Sequence, residues 1–172
     1  MRIVSAGAGN LATHLSKALR DAGFQIVQVF SRTETSAKEL AEKLQTPYYT
    51  TDMDAITKDA SLYIISVSDD VIESLSKKLT FVEGLVVHTA GSVPMDVFAG
   101  KTKNFGVLYP LQTFRKLRPS IFPKYLFLSK PIRRTICKNY AWLRRQFLKR
   151  YSTLRRKSVC NCIWQQFLGV IL

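Results

Sequence analysis

The chain has 172 residues, 47% of them hydrophobic, which suits one domain of common size with a packed core and excludes disorder throughout. Its net charge of +14 would suggest a nucleic-acid or anionic-membrane partner if it were evenly spread. It is not: residues 1–114 carry 11 Lys/Arg against all 12 Asp/Glu, and the other 58 residues carry 15 Lys/Arg and no acid. All three Cys fall in that last third, and an odd count confined there argues against a secreted disulfide framework. Met1 and Arg2 lead straight into IVSAGAG, without a signal peptide's apolar core, so a cytoplasmic location is expected. The longest uncharged stretch, Ser158 to Leu172, is 15 residues with three amide side chains, short of the roughly 20 apolar residues of a transmembrane helix.

Along the first 114 residues, short apolar runs alternate with helical patterns, which predicts an α/β fold: a doubly wound parallel sheet of Rossmann type. RIVSA (2–6) reads as a buried strand. Leu11, Leu15, Ala18 and Ala22 then line one helix face, and Gly23 stands where a helix end needs positive φ. QIVQVFS (25–31) is a second strand. Ser36 with Glu39 suggests a capping box, ahead of an inward stripe of Ala37, Leu40, Ala41 and Leu44. PYYTTDMDAI (47–56) reads as a short strand and a helical turn. SLYIISVS (61–68) and GLVVHTA (84–90) are further strands with a helix from about Asp70 to Leu79 between them, and NFGVLYP (104–110) is the next strand.

Three places on this frame can carry chemistry. Gly7-Ala8-Gly9-Asn10-Leu11-Ala12 is a G-x-G-x-x-A between a strand and a helix: Gly7 permits the tight turn, Gly9 admits a pyrophosphate to the backbone, and Ala12 allows close packing. The second strand ends Ser31-Arg32-Thr33, where an NAD site would place a carboxylate for the ribose 2′-hydroxyl. A guanidinium and two hydroxyls suit a 2′-phosphate instead, so the expected cofactor is NADP. Ser66-Val67-Ser68 and the segment HTAGSVP (88–94) close two strands at the sheet edge where ligands bind, and should face the nicotinamide. His88 is the titratable base there, a candidate for proton transfer, with a packing histidine as the alternative. His14, one turn into the first helix, reads as a surface or packing residue.

The segments GAGNLATHL, VFSRT, IISVSDDVI, VVHTAGSVPMDVF and GVLYPLQTF, in this order and spacing, resemble Rossmann-like proteins related to pyrroline-5-carboxylate reductase and deazaflavin-dependent NADP oxidoreductases. The resemblance is greatest to bacterial members that join this domain to a helical C-terminal domain of unknown function. It covers residues 1–114 and implies NADP(H) held by Gly7, Gly9, Asn10, Leu11, Ser31, Arg32, Ser66 and Ser68, in a family whose members usually form dimers through the second domain. Where the related prephenate dehydrogenases have a His-Pro pair, this chain has Tyr109-Pro110, and no acid/base pair or triad defines a substrate.

The resemblance ends near Phe114, and residues 115–172 form a basic tail expected to be irregular or partly helical. The leading expectation is a frameshifted or truncated remnant of the helical domain, which would leave the chain catalytically incomplete. A second is an evolved basic arm: Ile136, Tyr140, Leu143, Phe147 and Tyr151 lie at helical spacing among Lys138, Arg144, Arg145, Lys149 and Arg150, as in a helix binding nucleic acid or an anionic membrane. A compact second domain is the third. Cys160-Asn161-Cys162 has no nearby His or third close Cys, so no zinc site is expected. An NADP(H)-dependent oxidoreductase domain is the functional expectation; the alternative is a binding protein acting through its basic segment.

Overall fold

The computed structural model of the chain describes residues 1–80, 82–110 and 126–128. Strand β1 (Arg2–Ala6) is followed by helix α1 (Asn10–Asp21), strand β2 (Gln25–Phe30), helix α2 (Glu34–Leu44) and the two-residue strand β3 (Tyr49–Thr50). Then come β4 (Leu62–Ile65), α3 (Asp69–Lys78), β5 (Leu85–His88), a single 3₁₀ turn at Met95–Phe98, β6 (Phe105–Pro110) and β7 (Leu126–Leu128). The strands form one sheet in the order β3-β2-β1-β4-β5-β6-β7, with β1 to β6 parallel. The chain winds outward from β1 through β2 to β3, then crosses back to β4 on the other side of β1. That reversal beside β1 is the switch point where such sheets bind ligands.

Alternation along the strands explains why both faces of the sheet are covered. Ile3, Ile26, Val29, Leu62, Ile64 and Val87 face a layer built by Leu15, Ala18 and Leu19 of α1 and Leu40, Ala41 and Leu44 of α2. Val4, Ala6, Phe30, Tyr63, Ile65 and Val86 face Val71, Ile72 and Leu75 of α3, with Phe98 of the 3₁₀ turn. Helix α1 stops where expected: Gly23 takes φ 88°, its N–H donates to Arg20 O at 2.8 Å, and Phe24 N–H donates to Leu19 O at 3.1 Å.

Three features depart from the sequence expectations. The capping box does not form, because α2 begins at Glu34 behind Thr33, with no side-chain cap bond, which leaves Ser36 inside the first turn. The turn at Met95–Phe98 was not anticipated, since four residues are too few to show a period. The third is β7, which pairs antiparallel with β6 in the register Leu108↔Leu128, Tyr109↔Phe127 and Pro110↔Leu126. An antiparallel edge strand therefore extends the parallel sheet into the segment read as irregular or helical. Leu-Phe-Leu is a short apolar triplet that can pair with the edge β6 would otherwise leave open. The helical periodicity at 136–151 and the Cys160/Cys162 pair lie outside the described residues.

Candidate functional site: a dinucleotide cleft at the switch point

The switch point is built from backbone. Gly7 N–H donates to Phe30 O at 2.7 Å at the end of β2, and Ser66 N–H donates to Ala6 O at 2.7 Å at the end of β4. Three strand ends thus converge on the Ala6–Gly7 step. Gly7 has φ 124°, and a Cβ there would lie 2.2 Å from Ser66 O, so both dihedral and space demand glycine. Gly9 differs. It has extended dihedrals at the N-cap of α1, and a Cβ there would meet nothing within 4 Å. Its missing side chain leaves open space in front of a helix N-terminus.

That N-terminus suits an anion. The first-turn N–H groups of α1 have no carbonyl one turn back to accept from them, no side chain caps them, and no acidic residue stands in the turn. Helices α2 and α3, by contrast, carry Glu34 and the pair Asp69–Asp70 in their first turns. Among the described helices, the positive end of the dipole is therefore left without a carboxylate only at α1. Ala8 and Leu11 pack against the α1 side of the core, Ala12 is 1% exposed beneath the helix, and Gly9 and Asn10 lie at the surface. Ser16 Oγ donates to Ser5 Oγ at 2.7 Å inside the core, pinning α1 to β1.

The other sequence-derived residues arrange themselves around this turn. Ser31 is buried and its N–H donates to Thr50 O at 3.2 Å, so β3 fixes the end of β2. Arg32 and Thr33 follow it at the surface. Ser66 and Val67 are half-buried and Ser68 is exposed as the N-cap of α3. Thr89 Oγ1 donates to Ser66 Oγ at 3.3 Å, which ties the end of β5 to that of β4, and Ser92 Oγ donates to Asp69 Oδ2. Sequence reasoning passed over Asp69 and Asp70. The available signal was a double acid directly after Ser66-Val67-Ser68 at a helix start.

His88 ends β5 in register with Ile65 and Val107. Its side chain is fully buried on the α3 face, with the ring centroid 6.2 Å from that of Phe98. Neither ring nitrogen makes a hydrogen bond of normal geometry among the described residues. Burial pushes its pKa below the ordinary histidine value, partly offset by the nearby backbone of Ala90 and Pro94 and the charge of Asp69. Its ring lies behind the 89–98 segment. His14 is half-buried on α1.

A groove of about 540 Å³ opens at the opposite end of the sheet, among Arg2, Gln25, Gln28, Thr46, Pro47 and Tyr48. It lies away from the glycine turn, and its ion pair is Arg2 with Asp59 at 2.6 Å on the surface. Among the described residues no helix is long and apolar enough to cross a membrane.

Comparisons with known proteins agree with this architecture. Over 98% of its length the chain matches the crystal structure of a protein assigned as an NADP oxidoreductase from Bacteroides fragilis, at 40% identity and TM-score 0.76, covering 64% of that chain. The fold also matches prephenate dehydrogenase from Aquifex aeolicus in complex with hydroxyphenyl propionate and NAD+ (TM-score 0.67, 14% identity, 86% of this chain and 57% of that one). Pyrroline-5-carboxylate reductase from Streptococcus pyogenes matches with TM-score 0.63 and 16% identity, over 86% and 56% of the two chains. Among curated proteins, glucose-fructose oxidoreductase domain-containing protein 2 from Xenopus tropicalis is 31% identical over 94 residues, 54% of this chain and 24% of that protein. The chain thus spans about a quarter of the length of such curated relatives. Residues 1–90, just over half of the chain, match the family described as shikimate / quinate 5-dehydrogenase. With its doubly wound sheet and glycine turn at the switch point, the chain belongs to that family and carries a Rossmann-like, dinucleotide-binding oxidoreductase domain.

Proposed function

We propose that this domain binds NADP(H) in preference to NAD(H) and serves an oxidoreductase. The observation that carries the reading is the pairing of an open, carboxylate-free α1 N-terminus with an exposed Arg32 at the end of β2. Gly7, Ala8, Gly9, Asn10 and Leu11 would seat the pyrophosphate. Ser31, Arg32 and Thr33 would receive the 2′-phosphate, which a guanidinium can bind through two parallel hydrogen bonds. Ser66, Val67 and Ser68 would border the nicotinamide end. When bound, the dinucleotide supplies the hydride chemistry, and the chain's residues bind and orient it. Of the two roles open to His88, we adopt packing. Its ring is closed off behind Phe98, and proton transfer would need the 89–98 segment to move aside.

Titration with NADPH and NADH tests the assignment. NADPH should bind at least about tenfold more tightly, the worth of a charge-assisted contact, and Arg32→Ala should remove most of the difference. Equal affinities in the unmodified chain would overturn the NADP reading and leave only a general dinucleotide site.

A further inference from the structure

The segment that leaves β5 is fastened to the end of β4 and to α3 at three points. At its start, Thr89 N–H donates to Ile65 O at 3.0 Å and Thr89 Oγ1 donates to Ser66 Oγ at 3.3 Å. Further on, Ser92 Oγ donates to Asp69 Oδ2 in the first turn of α3. At the far end, Lys101 Nζ donates to Ser76 Oγ of α3 at 2.7 Å and to Val97 O at 3.0 Å. Thr89 and Ser76 are buried, so the outer two ties belong to the core. The middle one differs: Ser92 and Asp69 are both exposed. It covers no core, and what it fixes is the rim at 90–92.

That rim stands beside the glycine turn. A Cβ on Gly7 would lie 2.2 Å from Ser66 O, and Ser66 is the residue to which Thr89 is tied, so the ends of β1, β4 and β5 form one continuous edge. In the sheet order, β2 lies on one side of β1 and β4 and β5 lie on the other. A dinucleotide with its 2′-phosphate at the end of β2 and its pyrophosphate at α1 therefore sends its other half over β4 and β5.

We infer that Ser92 and Asp69 are a positioning pair for the nicotinamide half of the cofactor, their hydrogen bond holding the 90–92 rim against the start of α3 before the ring arrives. The inference rests on the direction of the dinucleotide proposed above. An exposed rim without this bond would have to be ordered on binding, which weakens affinity. Held in advance, it favours only ligands that carry the ring; the adenosine and pyrophosphate lie over β2 and α1 and are indifferent to the pair.

The test compares ligands with and without the ring: NADPH against 2′-phospho-ADP-ribose, and NADH against ADP-ribose, titrated into the unmodified chain and its variants. Ser92→Ala should weaken NADPH about fivefold, the scale of one net hydrogen bond, and leave 2′-phospho-ADP-ribose within about 1.5-fold. Asp69→Ala should act in the same way, and the double variant should lose no more than the larger single loss, because the two side chains act as one unit. Ser92→Thr keeps the hydroxyl and should restore NADPH binding. The melting temperature of Ser92→Ala should stay within a few degrees of the unmodified chain, as for other surface substitutions. Equal losses for ligands with and without the ring, additive losses in the double variant, or undiminished NADPH binding by Ser92→Ala would each overturn the inference. A chain that prefers NADPH through Arg32 but is unaffected by Ser92→Ala keeps the NADP reading and loses this one. If NADPH and NADH bind alike, the NADP reading fails, and the pair NADH and ADP-ribose still decides whether Ser92 and Asp69 position the ring. Failure of every ligand to bind would overturn both.

Discussion

Helices α1 and α3 enter the sheet at the same edge, from adjacent strands and on opposite faces, yet their entries are built differently. Helix α1 follows two glycines and presents no carboxylate or side-chain cap; α3 follows Ser66-Val67-Ser68 and opens with two carboxylates. An acid at a helix N-terminus meets the need of the free N–H groups from within the chain. At α1 no acid does so. The two faces beneath also differ: the α1 face buries a satisfied polar pair, Ser5 with Ser16, whereas the α3 face buries His88, whose nitrogens make no hydrogen bond of normal geometry among the described residues. One fold thus holds a strand-turn-helix unit without a first-turn acid and a similar unit with two.

The strongest way to break the comparison is inside the glycine turn. Gly7→Ala puts a methyl group 2.2 Å from Ser66 O at φ 124°. A clash with backbone joined to a forbidden dihedral should cost more than about 3 kcal/mol, enough to abolish cooperative thermal unfolding in a marginally stable domain. Gly9→Ala adds the same methyl group to open space, and its melting temperature should stay within a few degrees of the unmodified chain. Dinucleotide affinity should fall at least about tenfold, since a side chain there stands where the pyrophosphate approaches. A stable Gly7→Ala, or a Gly9→Ala that binds normally, would show that the two glycines do not divide into a structural and a ligand-facing one.

A smaller effect is expected from the buried pair on the α1 face. Ser16→Ala leaves Ser5 Oγ without its partner in the core, which should lower the unfolding free energy by about 1–3 kcal/mol. The double change Ser5→Ala/Ser16→Ala should recover most of that loss, because two apolar groups of similar shape need no partner. Denaturant titration of the three variants measures it, and equal destabilisation by the single and double changes would show that the pair contributes packing rather than a hydrogen bond.

The α1 side of this comparison was almost wholly legible in the sequence. Its strands, the stripe Leu11, Leu15 and Ala18, and the positive φ of Gly23 follow from periodicity and from what only glycine permits. The glycine turn was legible for the same reason, since its residues mark a backbone constraint. The start of α2 was not, because Ser36-x-x-Glu39 satisfies a capping pattern that the chain's exit from β2 pre-empts by beginning the helix at Glu34. Strand β7 was missed because three residues carry no usable period and its pairing with β6 is set by tertiary structure. His88 was seen as a base at the ligand edge, but strand alternation sends its side chain to the α3 face along with Val86 and beneath Phe98. Period-2 reasoning could have placed it there; whether a buried histidine finds a partner depends on the segment that covers it.

The smallest expected effect concerns that histidine and sharpens the contrast between the two faces. Burial holds the His88 pKa below the unfolded value of about 6.5, so the folded state favours the neutral ring while the unfolded chain takes up a proton near pH 6.5. Where the unfolded state binds more protons, stability rises with pH. The contribution is therefore fully present above pH 6.5 and is lost as the pH falls from there toward the depressed folded value, with a slope of at most about 1.4 kcal/mol per pH unit. The lowered carboxyl pKa values of Asp70 and Glu73 act below pH 5 and leave this window to histidine. His88→Leu removes a buried imidazole that makes no hydrogen bond of normal geometry among the described residues and should flatten the denaturation midpoint between pH 7.5 and 5.5, with neutral-pH stability unchanged or raised by up to about 1 kcal/mol. A slope retained in full by His88→Leu would place the titrating group elsewhere. A loss of several kcal/mol at neutral pH would show that the ring nitrogens hold the 89–94 backbone, making the α3 face as well satisfied as the α1 face.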